Sequence, residues 1–295
     1  MDIQRVGIVG CGLMGSGIAQ CAVEAGCQVL VKEADEAFLA KGLARIHGAW
    51  ERSVAKGKAT PEQRESWLGN LRGTLAFPDL AACDLVVEAI PEHLDLKLKT
   101  FAELDQVLSA SALLCSNTSS LSVAQLSPAL SPERLPRLAG LHFFNPVPAM
   151  PLVEIVRTLA TGDDTLAALR AFVQKLGKTG VLAPDAPGFI VNRLLVPYLL
   201  DAMRCAEQRL AGVDDLDQGM KLGCGHPMGP LHLSDFIGLD TMQSVADVLF
   251  DAFGESRFKA PALLRQLVAA GRLGRKSGSG FYRWEGEKRM EALPL

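Results

Sequence analysis

A histidine and a glutamate in two neighbouring apolar segments are the first candidates for reacting groups. His142 ends the apolar segment Leu138 to His142, and Glu154 lies in the middle of the next one, Leu152 to Val156. A carboxylate inside an apolar strand is unfavourable unless it has a partner, and the histidine one short loop away is the nearest candidate. A second interpretation stays open from these segments alone: a core histidine bonded to backbone, with Glu154 on a solvated face.

A glycine-rich turn near the N-terminus has the spacing of a dinucleotide-binding site. It follows the apolar segment Arg5 to Val9 and precedes a helix-compatible run, Ser16 to Val23. The first glycine permits a tight turn, the second lets a pyrophosphate approach the backbone, and the third lets the helix pack closely on the strand. The free amides at the start of the helix favour the anion. The residues of this turn are Gly10, Cys11, Gly12, Leu13, Met14 and Gly15.

An acidic residue after the second apolar segment indicates which dinucleotide binds. Glu33 lies about 20 residues beyond the glycines, where an acid is expected to bond the adenosine ribose hydroxyls. A carboxylate at that position repels a 2′-phosphate, so the sequence predicts NAD rather than NADP. Lys32, beside Glu33, is a cation that could offset part of this repulsion.

The first two thirds of the chain alternate short apolar runs with helix-like stretches, which is typical of a parallel sheet with crossover helices. The segment Asp35 to Arg72 has helical apolar spacing with a break at Lys56 to Pro61, and this pattern predicts a helical hairpin inserted into the sheet order. The predicted strands are Arg5 to Val9, Gln28 to Val31, Leu85 to Glu88, Leu113 to Ser116, Leu138 to His142, Leu152 to Val156 and Gly180 to Leu182.

The pattern changes after Pro184. Gly188 to Leu210 is a continuous helical pattern, helical segments continue to about Ala270, and no strand signal of comparable strength reappears. Two prolines in four residues, Pro184 and Pro187, would stop a strand and start a helix. We therefore predict a Rossmann-type doubly wound α/β domain over residues 1–185 and an all-α domain over residues 186–295.

Composition limits the class of protein. Of the 295 residues 48% are hydrophobic and 21% charged, which is the balance of a globular protein, and the net charge of -3 gives no basic field for nucleic acid or an anionic membrane. The seven cysteines are an odd number without a CxxC pair, which argues for reduced thiols. No leader and no apolar span of about 20 residues is evident. We expect a cytoplasmic protein.

Ordered motifs extend over most of the chain. They are Gly10 to Gln20, Asp84 to Glu92, Ser116 to Leu121, Gly140 to Pro148, Leu152 to Glu154, Pro187 to Arg193, His226 to Pro230 and Gly274 to Gly278. With these motifs the chain resembles the L-3-hydroxyacyl-CoA dehydrogenases, and within them the short form called 3-hydroxybutyryl-CoA dehydrogenase.

The resemblance implies a role for each matching residue. His142 would be the general base that takes the proton of the 3-hydroxyl, and Glu154 would orient its imidazole and stabilise the imidazolium, as in any carboxylate-supported histidine base. Ser119 would bond the substrate oxygen and contact the nicotinamide. Asn192 would hold substrate and histidine in line, in a cleft between the two domains.

The resemblance also implies contacts with the cofactor and the carrier. Glu92, Lys97, Asn117 and Asn145 match positions around the nicotinamide ribose, and Lys56 matches a partner of the coenzyme A phosphates. Taken alone these residues allow other interpretations. The Asn117 segment could be a turn and helix cap, Asn192 could face solvent, and Lys56 could belong to a solvated charge pair. The histidines lack metal-ligand spacing, and we expect no metal.

Three positions depart from the pattern of the family. Glu33 stands where many relatives have Asp, Pro151 where many have Lys, and Ala49 where some have a polar coenzyme A contact. Because the catalytic set is intact, these departures put recognition of the acyl carrier in question more than the chemistry.

The expected activity is reversible oxidation of an (S)-3-hydroxyacyl-CoA, most simply a short-chain ester, with NAD. The family also implies a homodimer formed through the C-terminal domain. The alternatives are a dehydrogenase of a free 3-hydroxy acid or of a carrier-protein-bound acyl group, and a non-catalytic relative of the crystallin kind.

Overall fold

The computed structural model describes residues 2–294, which form two compact units divided between Phe189 and Ile190. The first unit contains an eight-stranded sheet in the order β3-β2-β1-β4-β5-β6-β7-β8. Its strands are β1 (Arg5–Val9), β2 (Gln28–Lys32), β3 (Leu71–Thr74), β4 (Leu85–Glu88), β5 (Leu113–Ser116), β6 (Leu138–Phe143), β7 (Leu152–Arg157) and β8 (Thr179–Pro184).

The direction of the strands determines which residues meet at one edge. β1 to β6 are parallel, so the residues that end β1, β4, β5 and β6 lie along the same edge of the sheet. β7 runs antiparallel to β6, in a register that pairs His142 with Glu154. The central strands are buried, as expected for a sheet covered on both faces by helices.

The helices of the first unit are α1 (Leu13–Glu24), α2 (Glu36–Ala55), α3 (Pro61–Gly69), α4 (Leu94–Val107) and α5 (Asp163–Lys175). The break predicted between the two inserted helices is confirmed. Asp35 caps α2 by accepting from Phe38 N, and Thr60 forms a capping box with Gln63 at the start of α3. The sequence did not predict β3, since it is four residues long and only Leu71 in it is buried.

The second unit is helical, with α6 (Val191–Glu207), α7 (Val213–Cys224), α8 (Pro230–Ile237), α9 (Leu239–Phe253) and α10 (Ala262–Ala269). The prediction of an all-α domain needs one correction, because an antiparallel hairpin of β9 (Tyr282–Glu285) and β10 (Lys288–Ala292) ends the chain. The first helix starts at Val191 rather than Gly188, since residues 188 and 189 both have positive φ.

The Rossmann-type sheet followed by a helical unit is thus confirmed. Within residues 2–294, no helix combines the length and the apolar character needed to cross a membrane. All seven cysteines are free thiols, five of them buried.

Candidate active site

The glycine turn between β1 and α1 is shaped to admit a pyrophosphate. Gly10 has φ of 94°, and a Cβ there would lie 2.7 Å from Ala89 O. A Cβ at Gly15 would lie 1.8 Å from Gly10 O, so helix and strand approach too closely for a side chain. A Cβ at Gly12 would meet nothing within 4 Å, and no side chain caps the start of α1 at this residue. The turn therefore leaves open space in front of free helix amides, which fits a dinucleotide.

Glu33 follows β2 and contacts the same turn. Its carboxylate accepts from Cys11 N and, at 3.0 Å, from Ala34 N. The neighbouring cation is engaged elsewhere, since Lys32 Nζ lies 3.9 Å from the centroid of the Phe77 ring. Burial holds the pKa of Lys32 below its usual value in spite of the nearby Glu33 carboxylate. Lys32 therefore compensates less of the negative charge of Glu33 than its place in the sequence suggested.

His142 and Glu154 form a buried pair across two neighbouring strands. His142 Nδ1 and Glu154 Oε2 are 2.7 Å apart, and both side chains are almost fully buried. The antiparallel register of β6 and β7 brings them together, because it makes the two residues direct partners on one face of the sheet. With Nδ1 bonded to the carboxylate, Nε2 is the ring nitrogen that remains for a ligand.

A second buried carboxylate lies at the end of β4. Glu88 is fully buried, and its Oε1 accepts from Lys97 Nζ at 2.7 Å and from Ile90 N at 2.8 Å. Ser116 Oγ, at the end of β5, donates to Glu88 Oε2 at 2.6 Å. Lys97 Nζ also lies 3.1 Å from Glu92 Oε2, so this buried ammonium joins two carboxylates.

Glu92 connects this network to the turn that carries Ser119. Its Oε1 accepts from Thr118 Oγ1, from Ser120 Oγ at 3.0 Å, and from the backbone amides of Ser119 and Ser120 at 3.2 Å each. Burial would raise the pKa of Glu92, but Lys97 and the two hydroxyls outweigh it and the pKa is lowered. Glu92 therefore stays ionised and holds the turn.

A cleft beside α1 and α2 is lined by several cations. It has a volume of about 340 Å³, within the range of ligand-binding pockets, and Arg45, Arg52, Lys56 and Lys58 line it. Arg45 Nη1 also donates to Cys11 O at 3.2 Å, which ties this wall of the cleft to the glycine turn. Four cations in one cleft favour a ligand with several negative charges.

Comparison with known proteins decides the family. The family model described as "3-hydroxyacyl-CoA dehydrogenase, NAD binding domain" matches residues 5–186, and the model of the C-terminal domain of the same family matches residues 188–284. The chain belongs to the 3-hydroxyacyl-CoA dehydrogenase family. It is accordingly an NAD-dependent enzyme of the 3-hydroxyacyl-CoA dehydrogenase type, with NAD as its cofactor.

Individual relatives are similar over nearly their whole length. A 3-hydroxybutyryl-CoA dehydrogenase of Mycobacterium tuberculosis is 48% identical over 282 residues, which cover 95% of this chain and 98% of the relative. Among solved structures, FadB2 of M. tuberculosis has a TM-score of 0.94 at 47% identity, covering 97% of this chain and 100% of that one. The (S)-3-hydroxybutyryl-CoA dehydrogenase PaaH1 of Ralstonia eutropha has a TM-score of 0.92 at 42% identity, covering 96% and 100%.

The residues that the family pattern singled out fall into three places. Around the sheet edge, Asn117 Oδ1 accepts from Phe143 N at 2.9 Å, next to His142. Asn145 lines the cationic cleft together with Lys56. Asn192 lies in the first turn of α6, in the second unit.

Sequence reasoning missed several residues of these networks. Glu88 and Ser116 lie in motifs of the family pattern but had no predicted partner, and Arg45 and Arg52 were not expected to line the cleft. One feature of the sequence could have identified Glu88. It is an acid that ends an apolar strand, and like Glu154 it therefore needs a buried partner. Its partner could not be identified from the pattern, since Lys97 lies nine residues further on, in a helix.

Proposed function

We propose that this protein interconverts (S)-3-hydroxyacyl-CoA and 3-ketoacyl-CoA, with short-chain esters such as 3-hydroxybutyryl-CoA and acetoacetyl-CoA as substrates and His142 as the general base. The observation that carries the proposal is the buried hydrogen bond of 2.7 Å between His142 Nδ1 and Glu154 Oε2. A buried carboxylate on Nδ1 fixes the tautomer with an unprotonated Nε2 and favours the imidazolium once a proton is taken up.

In the direction of oxidation, His142 Nε2 takes the proton of the 3-hydroxyl while the hydrogen on C3 leaves as hydride. Bound NAD supplies the hydride acceptor. The C3–O bond becomes a carbonyl, and Glu154 stabilises the imidazolium in the low-dielectric site. In reduction, the same imidazolium returns its proton to the oxygen that receives negative charge. Ser119 hydrogen-bonds this oxygen from the turn that Glu92 holds, and the family pattern assigns Asn192 to substrate binding.

The cofactor contacts follow from the glycine turn and its neighbours. Gly10, Gly12, Leu13, Met14 and Gly15 would hold the pyrophosphate and Glu33 the adenosine ribose. The family pattern assigns Glu92, Lys97, Asn117, Ser119 and Asn145 to the surroundings of the nicotinamide ribose. The open space at Gly12 supports the placement of the pyrophosphate.

Coenzyme A is the proposed carrier because of the cationic cleft. A free hydroxy acid carries one carboxylate, whereas coenzyme A carries several phosphate charges, and Arg45, Arg52, Lys56 and Lys58 line one cleft of the first unit. The departures at Ala49 and Pro151 leave these four cations in place. The names of the M. tuberculosis and R. eutropha relatives support a short acyl chain.

The decisive test measures NADH oxidation with acetoacetyl-CoA and with free acetoacetate. We expect activity with the thioester, and a loss of about 10²- to 10⁴-fold in His142→Ala, since this is the usual contribution of a positioned base. His47→Asn, a change at a half-buried histidine of α2, serves as the matched control and should keep its rate. A His142→Ala variant with the full wild-type rate would show that His142 is not the base.

A companion experiment separates the possible carriers. Lys56→Ala and Arg52→Ala should raise KM for acetoacetyl-CoA while leaving KM for NADH unchanged. Unchanged KM values, with strong activity on a carrier-protein-bound or free 3-ketoacid, would select the alternative substrates. If the wild type had no activity on any of these substrates, the result would favour the alternative that the protein is a non-catalytic relative of the family.

We also propose that the N-terminal domain (residues 1–185) binds NAD and that the helical domain (residues 186–295) contributes to substrate binding and forms a homodimer. The family pattern implies the dimer, and three leucines of the second unit that are 70% to 79% exposed, namely Leu194, Leu210 and Leu222, are positions at which to test it. Sedimentation should show a dimer for the wild type and a monomer for the double variant Leu194→Asp/Leu222→Asp.

The seven free thiols support a cytoplasmic location, which fractionation of the source cells would test.

A further inference from the structure

The segment that ends the first unit contains strained backbone. Phe189 has φ of 45° and follows Gly188, whose φ is 75°. Glycine adopts this left-handed region readily, whereas a bulky aromatic residue there is a genuine outlier. The backbone N–H of Phe189 donates to Ala186 O at 2.9 Å and closes the turn. Since glycine would form this turn more easily, the phenyl ring is present for a reason other than the turn.

The ring of Phe189 lies against the imidazole of His142. The two ring centroids are 5.6 Å apart, with the planes inclined by 55°. The ring of Phe144 lies on the imidazole at 4.6 Å with the same inclination. These are distances at which tilted aromatic rings attract each other, and Phe189 is only 3% exposed. Two aromatic rings therefore contact the imidazole whose Nδ1 is bonded to Glu154.

Hydrogen bonds hold the residue at the start of the strained turn, Asp185, in place. Asp185 accepts three hydrogen bonds from the segment that follows the Ser119 turn: from Ser122 Oγ and Val123 N at 2.8 Å and from Ala124 N at 2.7 Å. Because Asp185 lies only four residues before Phe189, these bonds limit the movement of the segment that presents the phenyl ring.

We infer that Phe189 is a positioning residue for the proton transfer. A single hydrogen bond fixes Nδ1 of His142 but still allows the imidazole to tilt about the axis between Nδ1 and Glu154 Oε2. The rings of Phe144 and Phe189 restrict this tilt and so aim Nε2 at the hydroxyl proton, and the strained backbone is retained because it delivers the ring to this position. This inference rests on the proposed role of His142 as the base.

The test compares Phe189→Leu and Phe189→Gly with Phe172→Leu, a change at a buried phenylalanine of α5. For each variant we would measure kcat, both KM values, the primary isotope effect with NADH deuterated at C4, and unfolding in urea. Both Phe189 variants should lose about tenfold to a hundredfold in kcat, the effect of a misplaced reacting group, with KM for NADH unchanged and a larger isotope effect. Phe172→Leu should lose stability but keep the kcat and isotope effect of the folded enzyme. Phe189→Tyr, which keeps the ring, should keep the rate.

Two results would overturn the inference: wild-type kcat and isotope effect in both Phe189 variants, or the same changes in Phe172→Leu, which would indicate a general packing effect. The failure of the proposed function would look different. In that case the wild type would not oxidise NADH with acetoacetyl-CoA, or His142→Ala would stay active, whatever the Phe189 variants do.

Discussion

Buried carboxylates occur in both units, but their partners differ. In the first unit, Glu88 and Glu154 contact a lysine and a histidine side chain, Lys97 and His142. In the second unit, Asp235 accepts from groups that keep their protons: Phe281 N at 2.8 Å, Tyr282 N at 2.9 Å and Trp284 Nε1 at 2.9 Å. Asp217 is similar, with Leu231 N, His232 N and the Tyr282 hydroxyl as donors.

The difference indicates that burial alone does not identify a reacting acid. Asp235 ties the terminal hairpin to α8, and a Cβ at Gly280 would lie 2.1 Å from Asp235 Oδ1, so hairpin and carboxylate are closely packed. Burial raises the pKa of Asp235 although three donors act against it. Glu154, by contrast, bonds a ring whose second nitrogen can exchange a proton. The partner of a buried carboxylate, rather than its burial, therefore distinguishes the role proposed for Glu154 from the structural role of Asp235.

The strongest test of this comparison is Glu154→Gln. The amide keeps the shape of the side chain but cannot stabilise an imidazolium, so kcat should fall by about 10²- to 10⁴-fold. NADH oxidation with acetoacetyl-CoA measures the loss, and Asp235→Asn is the control that should keep kcat in the folded enzyme. If Glu154→Gln retained more than half of the wild-type rate, the two carboxylates would not differ as proposed.

Asp235→Ala should have a large effect on stability instead. It leaves three buried donors without an acceptor, and each such donor costs about 1–3 kcal/mol, so the free energy of unfolding should fall by about 3 kcal/mol or more. Urea unfolding measures this loss, with Asp247→Ala, at an exposed position of α9, as the control. A loss no greater than that of the control would argue against a structural role.

Glu92→Gln should give a smaller effect that depends on pH. Because the folded pKa of Glu92 is lowered, its charge contributes stability above the unfolded value of about 4.3, and this contribution is lost as the pH falls through the folded pKa. The difference in unfolding free energy between wild type and Glu92→Gln should thus be greatest near neutral pH and shrink in acid. A difference that grew as the pH fell would contradict the lowered pKa.

Lys32→Ala should have the smallest effect. Since its ammonium lies on the Phe77 ring, the ratio of kcat/KM for NADH to that for NADPH should change by no more than about twofold, the range of ordinary surface substitutions. Glu33→Gln is the comparison and should relax the preference for NADH more. A larger change in Lys32→Ala would mean that this cation acts on the cofactor after all.

Features that depend on local patterns could be predicted from the sequence. The glycine turn, the strands on either side of the site and the break between α2 and α3 depend on residues within a few positions of each other, through backbone conformation, capping and apolar spacing. The family pattern added a prediction of which residues react. Elements with weak local signals, such as the edge strand β3 and the hairpin of β9 and β10, were missed, because contacts with the rest of their unit stabilise them.

The contacts between side chains from different elements depend on the three-dimensional arrangement of the strands and helices. The sequence named His142 as the nearest candidate partner of Glu154 but left open a histidine bonded to backbone. The antiparallel register of β6 and β7 makes the two residues partners. The contact between Lys97 and Glu88 depends on how α4 lies beside β4, and Phe189 reaches His142 through a backbone conformation that a phenylalanine rarely adopts. Contacts of this kind join residues far apart along the chain, and their geometry is defined only once the sheet order and strand directions are in place.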